Sequence, residues 1–134
     1  MEIPKGNSRE DIKARRQIIK DFYANWIAQH PDKKVWNRSL KAYIHVKFQS
    51  INETAGHASL SIESTEAVLR LSEILSFASL TTPLPLKYND KNQKPYDKML
   101  LMRWQNYRLI IGHQKNTGEY VQYYVGSEII KAAR

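Results

Sequence analysis

The carboxy-terminal third of the chain constrains the fold most, because it contains three short segments rich in aromatic and β-branched residues. These segments are residues 99–104, 107–113 and 119–125. Their composition is typical of β-strands. Gln105 and Asn106 leave a two-residue turn between the first two, and residues 116–118 suit a three-residue loop with Gly118 in a left-handed conformation. The sequence therefore predicts a three-stranded antiparallel meander.

The predicted turns also set which residues face each other. Arg103 would lie opposite Arg108, Trp104 opposite Tyr107, and Lys115 opposite Glu119. One face would collect mainly apolar side chains: Leu100, Met102, Trp104, Leu109, Ile111, Val121, Tyr123 and Val125. The other face would collect Arg103, Arg108, Gln114, Tyr120, Gln122 and Tyr124, together with Met99, Leu101 and Ile110. Two arginines that face each other repel, so we expect a compensating group, for which a bound anion is one candidate.

Two helices are predicted before the meander. Ser8 is placed to cap a first helix that runs to about residue 30, where Pro31 ends it. Its apolar residues recur at helical spacing and indicate a buried stripe: Ile12, Ile19, Phe22, Tyr23, Trp26 and Ile27. Ser64 or Thr65 would cap a second helix ending near residue 78. The buried stripe of the second helix would be Ala67, Val68, Leu71, Ile74, Leu75 and Ala78.

The remaining segments complete a fold of the α+β class. Residues 42–48 alternate cleanly as a strand, and residues 57–62 suit a short strand or an irregular lead-in. A short final helix is expected over residues 127–133. We predict one domain with an antiparallel sheet of about four to five strands and two main helices packed on one face. Residues 1–7 are expected to be flexible, and residues 87–96 to form a mobile loop.

Composition narrows the chemistry. The chain has no cysteine, which excludes disulfides and thiol nucleophiles. Its five glycines are not clustered as in phosphate loops, and its four histidines lack the spacing of paired metal ligands. We therefore expect neither a cofactor nor a metal. No apolar run approaches the roughly 20 residues that span a bilayer, and a cytoplasmic location without membrane contact is the expectation.

The charge distribution favours an anionic partner. The 134-residue chain carries a formal net charge of +8. Residues 1–47 and 81–134 are net positive, whereas residues 48–80 are net negative. A surface with one positive side is typical of proteins that bind nucleic acid or another polyanion. The alternative is that the positive charge serves solubility alone.

Candidate site residues follow from this charge pattern and from the predicted sheet face. The candidates for phosphate or anion binding are Arg103, Arg108, Arg15, Arg16, Lys91 and Lys94. The candidates for base stacking or for an interface are Tyr120, Gln122 and Tyr124. The arginines of the hairpin could instead splay to solvent or pair with a helix carboxylate such as Glu66 or Glu73. His57 is the candidate acid or base, with an ordinary turn histidine as the alternative.

Several segments resemble an uncharacterised family of small basic proteins carried by bacterial mobile elements. They are residues 39–44 (Ser-Leu-Lys-Ala-Tyr-Ile), 56–59 (Gly-His-Ala-Ser), 64–65 (Ser-Thr) and 91–94 (Lys-Asn-Gln-Lys), with the carboxy-terminal hairpin. This resemblance implies a fold and a genomic context but no activity. A weaker similarity is to metal-independent RNases of the barnase and colicin type, through His57, Arg103, Arg108 and Tyr120. The acidic general base of barnase has no counterpart that the sequence can assign.

These observations leave two main functional hypotheses open. The first is a domain that binds RNA or DNA through an Arg/Tyr sheet face, with an RNase-like activity as one form of it. The second is a protein–protein interaction or structural module that uses the same face without catalysis. Its anchors would be Met99, Leu101, Ile110, Tyr120 and Tyr124. The sequence alone does not decide whether the protein is an enzyme.

Overall fold

The computed structural model describes residues 2–47, 55–87, 89–91 and 93–127, apart from the side chains of residues 80 and 81. Its helices are α1 (Arg9–Gln29), α2 (Ile62–Leu69) and α3 (Leu71–Phe77). Its strands are β1 (Lys34–Asn37), β2 (Ala42–His45), β3 (Ser79–Leu84), β4 (Tyr96–Trp104), β5 (Tyr107–Gln114) and β6 (Tyr120–Ser127).

The described strands form one six-stranded sheet in the order β1-β2-β6-β5-β4-β3. The α+β class is confirmed, but the sheet has more strands than predicted and is mixed, because β2 and β6 run parallel. The two strands that prediction missed, β1 and β3, lie at the two edges. Pro83 is accommodated in β3 because an edge strand can lack one ladder hydrogen bond.

Helix α1 begins and ends as predicted. The Ser8 hydroxyl accepts a hydrogen bond from the Asp11 backbone amide at 3.1 Å, and His30 follows the last helical residue. Ile19, Tyr23 and Trp26 are buried on one face. The predicted stripe skips the position one turn before Ile19, and the structure fills that position with Arg15, which is fully buried.

The second predicted helix is divided at Arg70 into α2 and α3. Every residue of its predicted apolar stripe is buried, from Ala67 to Ala78. Of the two alternatives for residues 57–62, the strand is wrong, because residues 55–58 form a helical turn and residues 59–61 lead irregularly into α2. The expected helix over 127–133 lies almost wholly outside the described residues, since β6 extends to Ser127 and 128–134 are not described.

The main hydrophobic core lies between the helices and one face of the sheet. It joins Ile19 of α1, Leu71 of α3, Ile44 of β2 and Met102 of β4. A smaller cluster lies on the opposite face around Tyr96, Met99 and Val121. None of the helices in the described ranges is long and apolar enough to cross a membrane.

Candidate nucleic-acid interface

The helices cover one face of the sheet and leave the other without them. The cluster on the second face is built from strands and from the segment after β3, with Leu84, Leu86, Ile110 and Tyr123 packed at its edge and no helical residue among those described. We call this the helix-free face. Its side chains, placed by strand register and alternation, include Lys34, Trp36, Tyr43, His45, Tyr96, Met99, Leu101, Arg103, Arg108, Ile110, Val121, Tyr123 and Tyr124.

The predicted arginine pair is confirmed as a cross-strand neighbour pair at one end of this face. The two-residue turn at 105–106 sets Trp104 opposite Tyr107 and Arg103 opposite Arg108. Arg103 is exposed and Arg108 is half-buried. The Nε atom of Arg108 is buried and has no hydrogen-bond partner within the described ranges. Leaving such a donor unmatched inside the protein is costly.

Tyr124 lies beside this arginine pair. Gly126 is the β6 residue opposite Arg108. A Cβ atom at position 126 would overlap the Tyr124 hydroxyl, so the Tyr124 ring extends along β6 over the glycine. The absence of a side chain at Gly126 thus lets a tyrosine and an arginine share one patch. Tyr124 therefore lies on the face that the sequence predicted for it.

Tyr120 and Gln122 lie on the other face, contrary to prediction. The register between β5 and β6 shifts between Ile110 and Ile111, which places Gln122 opposite Ile111 and Tyr120 opposite His113. Gln122 is fully buried, and Tyr120 packs against the main core. Neither residue can stack bases on the helix-free face. The bulge brings Tyr123 there instead, with its ring at 6.0 Å from that of Tyr96.

The length of the loop between β5 and β6 explains why Tyr120 and Gln122 lie on the face opposite to the predicted one. Gln114 donates its backbone amide to the Glu119 carbonyl at 2.8 Å, and Gly118 donates to Gln114 at 2.9 Å. The loop therefore holds residues 115–118, one more than predicted, and Lys115 does not face Glu119. Gly118 has a φ of 73°, which confirms the predicted left-handed glycine. The bulge near Tyr123 then restores the predicted register for the rest of β6.

Two aromatic residues that prediction did not select are the most exposed ones on the helix-free face. Trp36 of β1 and Tyr43 of β2 face each other, with 48% and 45% of their surface exposed. Their rings meet edge to face at 5.2 Å. The Lys34 ammonium lies 4.4 Å from the Tyr43 ring centre. The alternation of polar and apolar residues at Lys34, Val35 and Trp36 is the sequence signal for strand β1. The neighbouring Lys33 and Pro31 make this segment look like a basic connector instead.

A charged cluster adjoins these rings where β2 meets β6. His45 Nε2 lies 3.5 Å from Glu119 Oε2, and Lys47 Nζ lies 3.0 Å from Glu119 Oε1. Lys33 and Lys34 line the adjoining cavity of about 410 Å³, together with Asp32. Burial, which outweighs the opposing effect of Glu119, lowers the pKa of His45. The hydrogen bond from Lys47 lowers the pKa of Glu119. At neutral pH a neutral imidazole therefore lies beside a carboxylate and several ammonium groups.

Arg15 is not an anion-binding residue, because its buried guanidinium donates hydrogen bonds within the protein. Its Nε donates to the Ser59 carbonyl at 2.7 Å, and its Nη1 donates to the carbonyls of Pro4 and Gly6 at 2.8 and 2.7 Å. The same contacts tie the amino-terminal segment to α1. Arg16, the next residue, is exposed on that helix. The buried side chains of α1 belong to the core on the helix-covered face, so α1 does not lie on the face that carries the arginine pair.

The other predicted residues fall into two groups. Lys91 and Lys94 are exposed in the connection between β3 and β4, and Lys94 lines a second cavity with Lys87 and Lys115. His57 is exposed in the helical turn 55–58. Its neighbours in that turn, at positions 55 and 58, belong to the core on the helix-covered face. The structure therefore separates His57 from the arginine pair and brings His45 to the helix-free face instead.

Comparisons with protein-family models, curated proteins and solved structures return no match. The two resemblances inferred from the sequence stay predictions. Within the described ranges, no three histidine, aspartate or glutamate side chains are grouped so that they could hold a metal ion. The site is therefore characterised by its cations, its aromatic rings and its single His–Glu pair.

Proposed function

We propose that the protein binds single-stranded nucleic acid along the helix-free face of its sheet. The observation that carries this proposal is the exposure of Trp36 and Tyr43 on the face that also presents Arg103 and Arg108. Exposed rings on a sheet give bases a surface on which to stack, and flanking cations bind the backbone phosphates. A duplex would not offer its base faces to such rings, so a single strand fits this surface better.

The two parts of the face lie at opposite ends of the sheet. β2 pairs with the start of β6 at Tyr120 and Val121, whereas Arg108 pairs with Gly126 near its end. At about 3.3 Å per strand residue the two regions are separated by on the order of 15–20 Å. One strand must therefore be several nucleotides long to contact both, within the range of 4–16 nucleotides typical of single-strand binding folds.

The test is fluorescence anisotropy with labelled single-stranded RNA and DNA at low salt. Trp36→Ala should weaken binding by about 5- to 150-fold, the loss expected for one stacked base at 1–3 kcal/mol. Phe77→Ala is the matched control, because Phe77 is also 40% exposed but packs on the helix side against Trp104. In the same way, the loss of affinity in Arg103→Gln is compared with that in Arg16→Gln, which removes an exposed charge from α1. Absence of binding, or equal losses in Trp36→Ala and Phe77→Ala, would refute the proposal.

The same experiment separates the protein-interaction alternative. If no oligonucleotide binds but light scattering shows a mass well above that of the monomer, the face is an interface. Tyr124→Glu should then restore the monomer, because a charge in the middle of an apolar contact opposes its burial.

A second candidate function is RNA cleavage, and the His45–Glu119–Lys47 cluster is the observation that favours it. A neutral His45 oriented by Glu119 is suited to take the proton of a ribose 2′-hydroxyl while that oxygen attacks the adjacent phosphorus. The 5′-oxygen would leave with a proton from solvent, giving a 2′,3′-cyclic phosphate and a 5′-hydroxyl end. Lys33, Lys34 and Lys47 would stabilise the added charge on the phosphate.

Cleavage is tested by incubating labelled RNA with the protein in excess chelator. His45→Ala should abolish the cyclic-phosphate product while it retains strand binding, and His57→Ala should leave the product unchanged. DNA, which lacks the 2′-hydroxyl, should bind without being cut. Equal product from the His45→Ala protein would show that this cluster does not cleave RNA.

A further inference from the structure

Three lysines from two loops, the β3–β4 connection and the β5–β6 loop, line one cavity at the end of the sheet away from the arginine pair. The cavity measures about 240 Å³ and is lined by Leu86, Lys87, Gln93, Lys94, Tyr96 and Lys115. Lys87 follows β3, Lys94 precedes β4, and Lys115 follows β5. The lining that the structure describes contains no carboxylate.

Backbone contacts hold the three lysine-bearing segments in place. The Gln93 side-chain oxygen accepts the Lys87 backbone amide at 2.9 Å, and Gln93 itself is buried. The Lys115 amide donates to the Pro95 carbonyl at 2.9 Å, which joins the β5–β6 loop to the segment before β4. These contacts join the two loops that line the cavity, which reduces the entropic cost of bringing them together around a ligand.

The electrostatics of this cavity favour an anion. Lysine side chains that line one cavity bring positive charges near each other, and a negative charge between them lowers their repulsion. None of the three forms an ion pair with a carboxylate in the part of the chain that the structure describes. Tyr96 is only 8% exposed, and its ring packs where a Cβ at Gly112 would lie, so the cavity offers no open ring for stacking.

We infer that the cavity between Lys87, Lys94 and Lys115 binds a phosphate group. Its volume is below the 300–1,000 Å³ common for small-molecule pockets, which suits a compact anion better than a whole cofactor. The binding of a phosphate group by this cavity does not depend on the proposed function. Only the identification of that group as a phosphate of nucleic acid rests on the proposed function. Tyr96 and Arg103 are seven residues apart on β4, about 23 Å at 3.3 Å per residue. A strand held in this cavity and by Arg103 would thus contact both ends of β4.

The first test uses inorganic phosphate as the probe and backbone amide NMR shifts as the readout. Phosphate should shift the amides of residues 86–96 and 114–118 at concentrations where chloride at equal ionic strength does not. The shifts should disappear in Lys94→Gln/Lys115→Gln and persist in Lys13→Gln/Lys20→Gln, which removes the same charge from exposed positions of α1. Absence of shifts, or shifts unaffected by the first pair of substitutions, would overturn the inference.

The second test uses single-stranded oligonucleotides with a 5′-phosphate, a 3′-phosphate or no terminal phosphate. Tighter binding of one phosphorylated form would identify a strand end as the ligand, and equal binding of all three would identify an internal phosphate. In either case Lys94→Gln/Lys115→Gln should reduce the dependence of log affinity on log salt by about 0.7, the value for one phosphate contact on a single strand. A slope equal to that of Lys13→Gln/Lys20→Gln would overturn the inference for nucleic acid.

The two proposals fail separately. If oligonucleotides bind and the cavity substitutions behave like the α1 control, the proposed function stands and the cavity inference falls. If inorganic phosphate shifts the cavity amides but no oligonucleotide binds at low salt, the cavity inference stands and the proposed function falls.

Discussion

Arg15 and Arg16 are adjacent in sequence, but the structure predicts very different effects when each is replaced. Arg15→Ala should lower the free energy of unfolding by about 3 kcal/mol, whereas Arg16→Ala should change it by less than about 0.5 kcal/mol. The reason is that the Arg15 side chain is fully buried and donates three hydrogen bonds to backbone carbonyls. Arg16 is exposed on the same helix.

The magnitude follows from what the truncation removes. The two buried methylenes that alanine lacks, Cγ and Cδ, contribute about 0.8 kcal/mol each, or about 1.6 kcal/mol. The carbonyl of Ser59, a buried residue, loses a charged donor, which costs about 1–3 kcal/mol. The carbonyls of Pro4 and Gly6 can turn to water when the amino-terminal segment detaches, so they add little. Arg15→Ala also removes the cost of keeping the guanidinium away from water, which offsets part of these losses. The net loss of unfolding free energy is about 3 kcal/mol.

The assay is urea unfolding at neutral pH, followed by circular dichroism. Arg15→Met keeps an apolar side chain of similar length and should recover part of the loss. The two alanine variants should have similar dependence on urea, so that midpoints report stability directly. Midpoints for Arg15→Ala and Arg16→Ala that agree within the equivalent of about 0.5 kcal/mol would refute this structural role.

Three further predictions concern the sheet. Gly112→Ala should destabilise the protein by about 1–3 kcal/mol, seen as a lower melting temperature, because the new methyl would overlap the Tyr96 ring. The free energy of unfolding should decrease as the pH falls from 7 to 5, and His45→Gln should make this decrease smaller. Burial lowers the pKa of His45 below 6.5 in the folded state, so acid protonates the unfolded chain first. A second loss should begin below about pH 4.5 and be smaller in Glu119→Gln, because the hydrogen bond from Lys47 lowers the pKa of Glu119. Urea titrations across pH check both, and an unchanged pH profile in either variant would contradict the assignment.

The parts of the fold that depend on neighbouring residues could be predicted from the sequence. The Ser8 cap, the apolar stripe of α1 and the two-residue turn at 105–106 are local features, and each is confirmed. The arginine pair follows from that turn alone, because a two-residue hairpin loop fixes the register of the strands on either side.

The parts that depend on distant contacts could not be predicted. The bulge that turns Gln122 into the core and Tyr123 out of it arises where β6 must satisfy both β5 and the parallel strand β2. β1 becomes a strand only because β2 pairs with it, and β3 tolerates Pro83 only because it is an edge. Arg15 occupies a core position whose carbonyl partners lie in other segments, so its charge alone pointed to solvent.

The residues of the candidate site also divide into those that local sequence predicts and those that depend on distant contacts. Arg103, Arg108 and Tyr124 were found because they belong to the three-stranded meander. Trp36 and the His45–Glu119 pair were missed, because their proximity to the helix-free face requires the β2–β6 pairing between residues more than 70 positions apart in sequence.

The measurement that tests the central claim most directly is amide NMR mapping with a single-stranded oligonucleotide at low salt. Binding along the helix-free face predicts the largest shifts at Lys34–Asn37, Ala42–His45 and the residues around Arg103, Arg108 and Tyr124. The amides of α1 should stay unmoved. Absence of any shift, or shifts concentrated on α1, α2 and α3, would contradict the assignment of this face as a nucleic-acid interface.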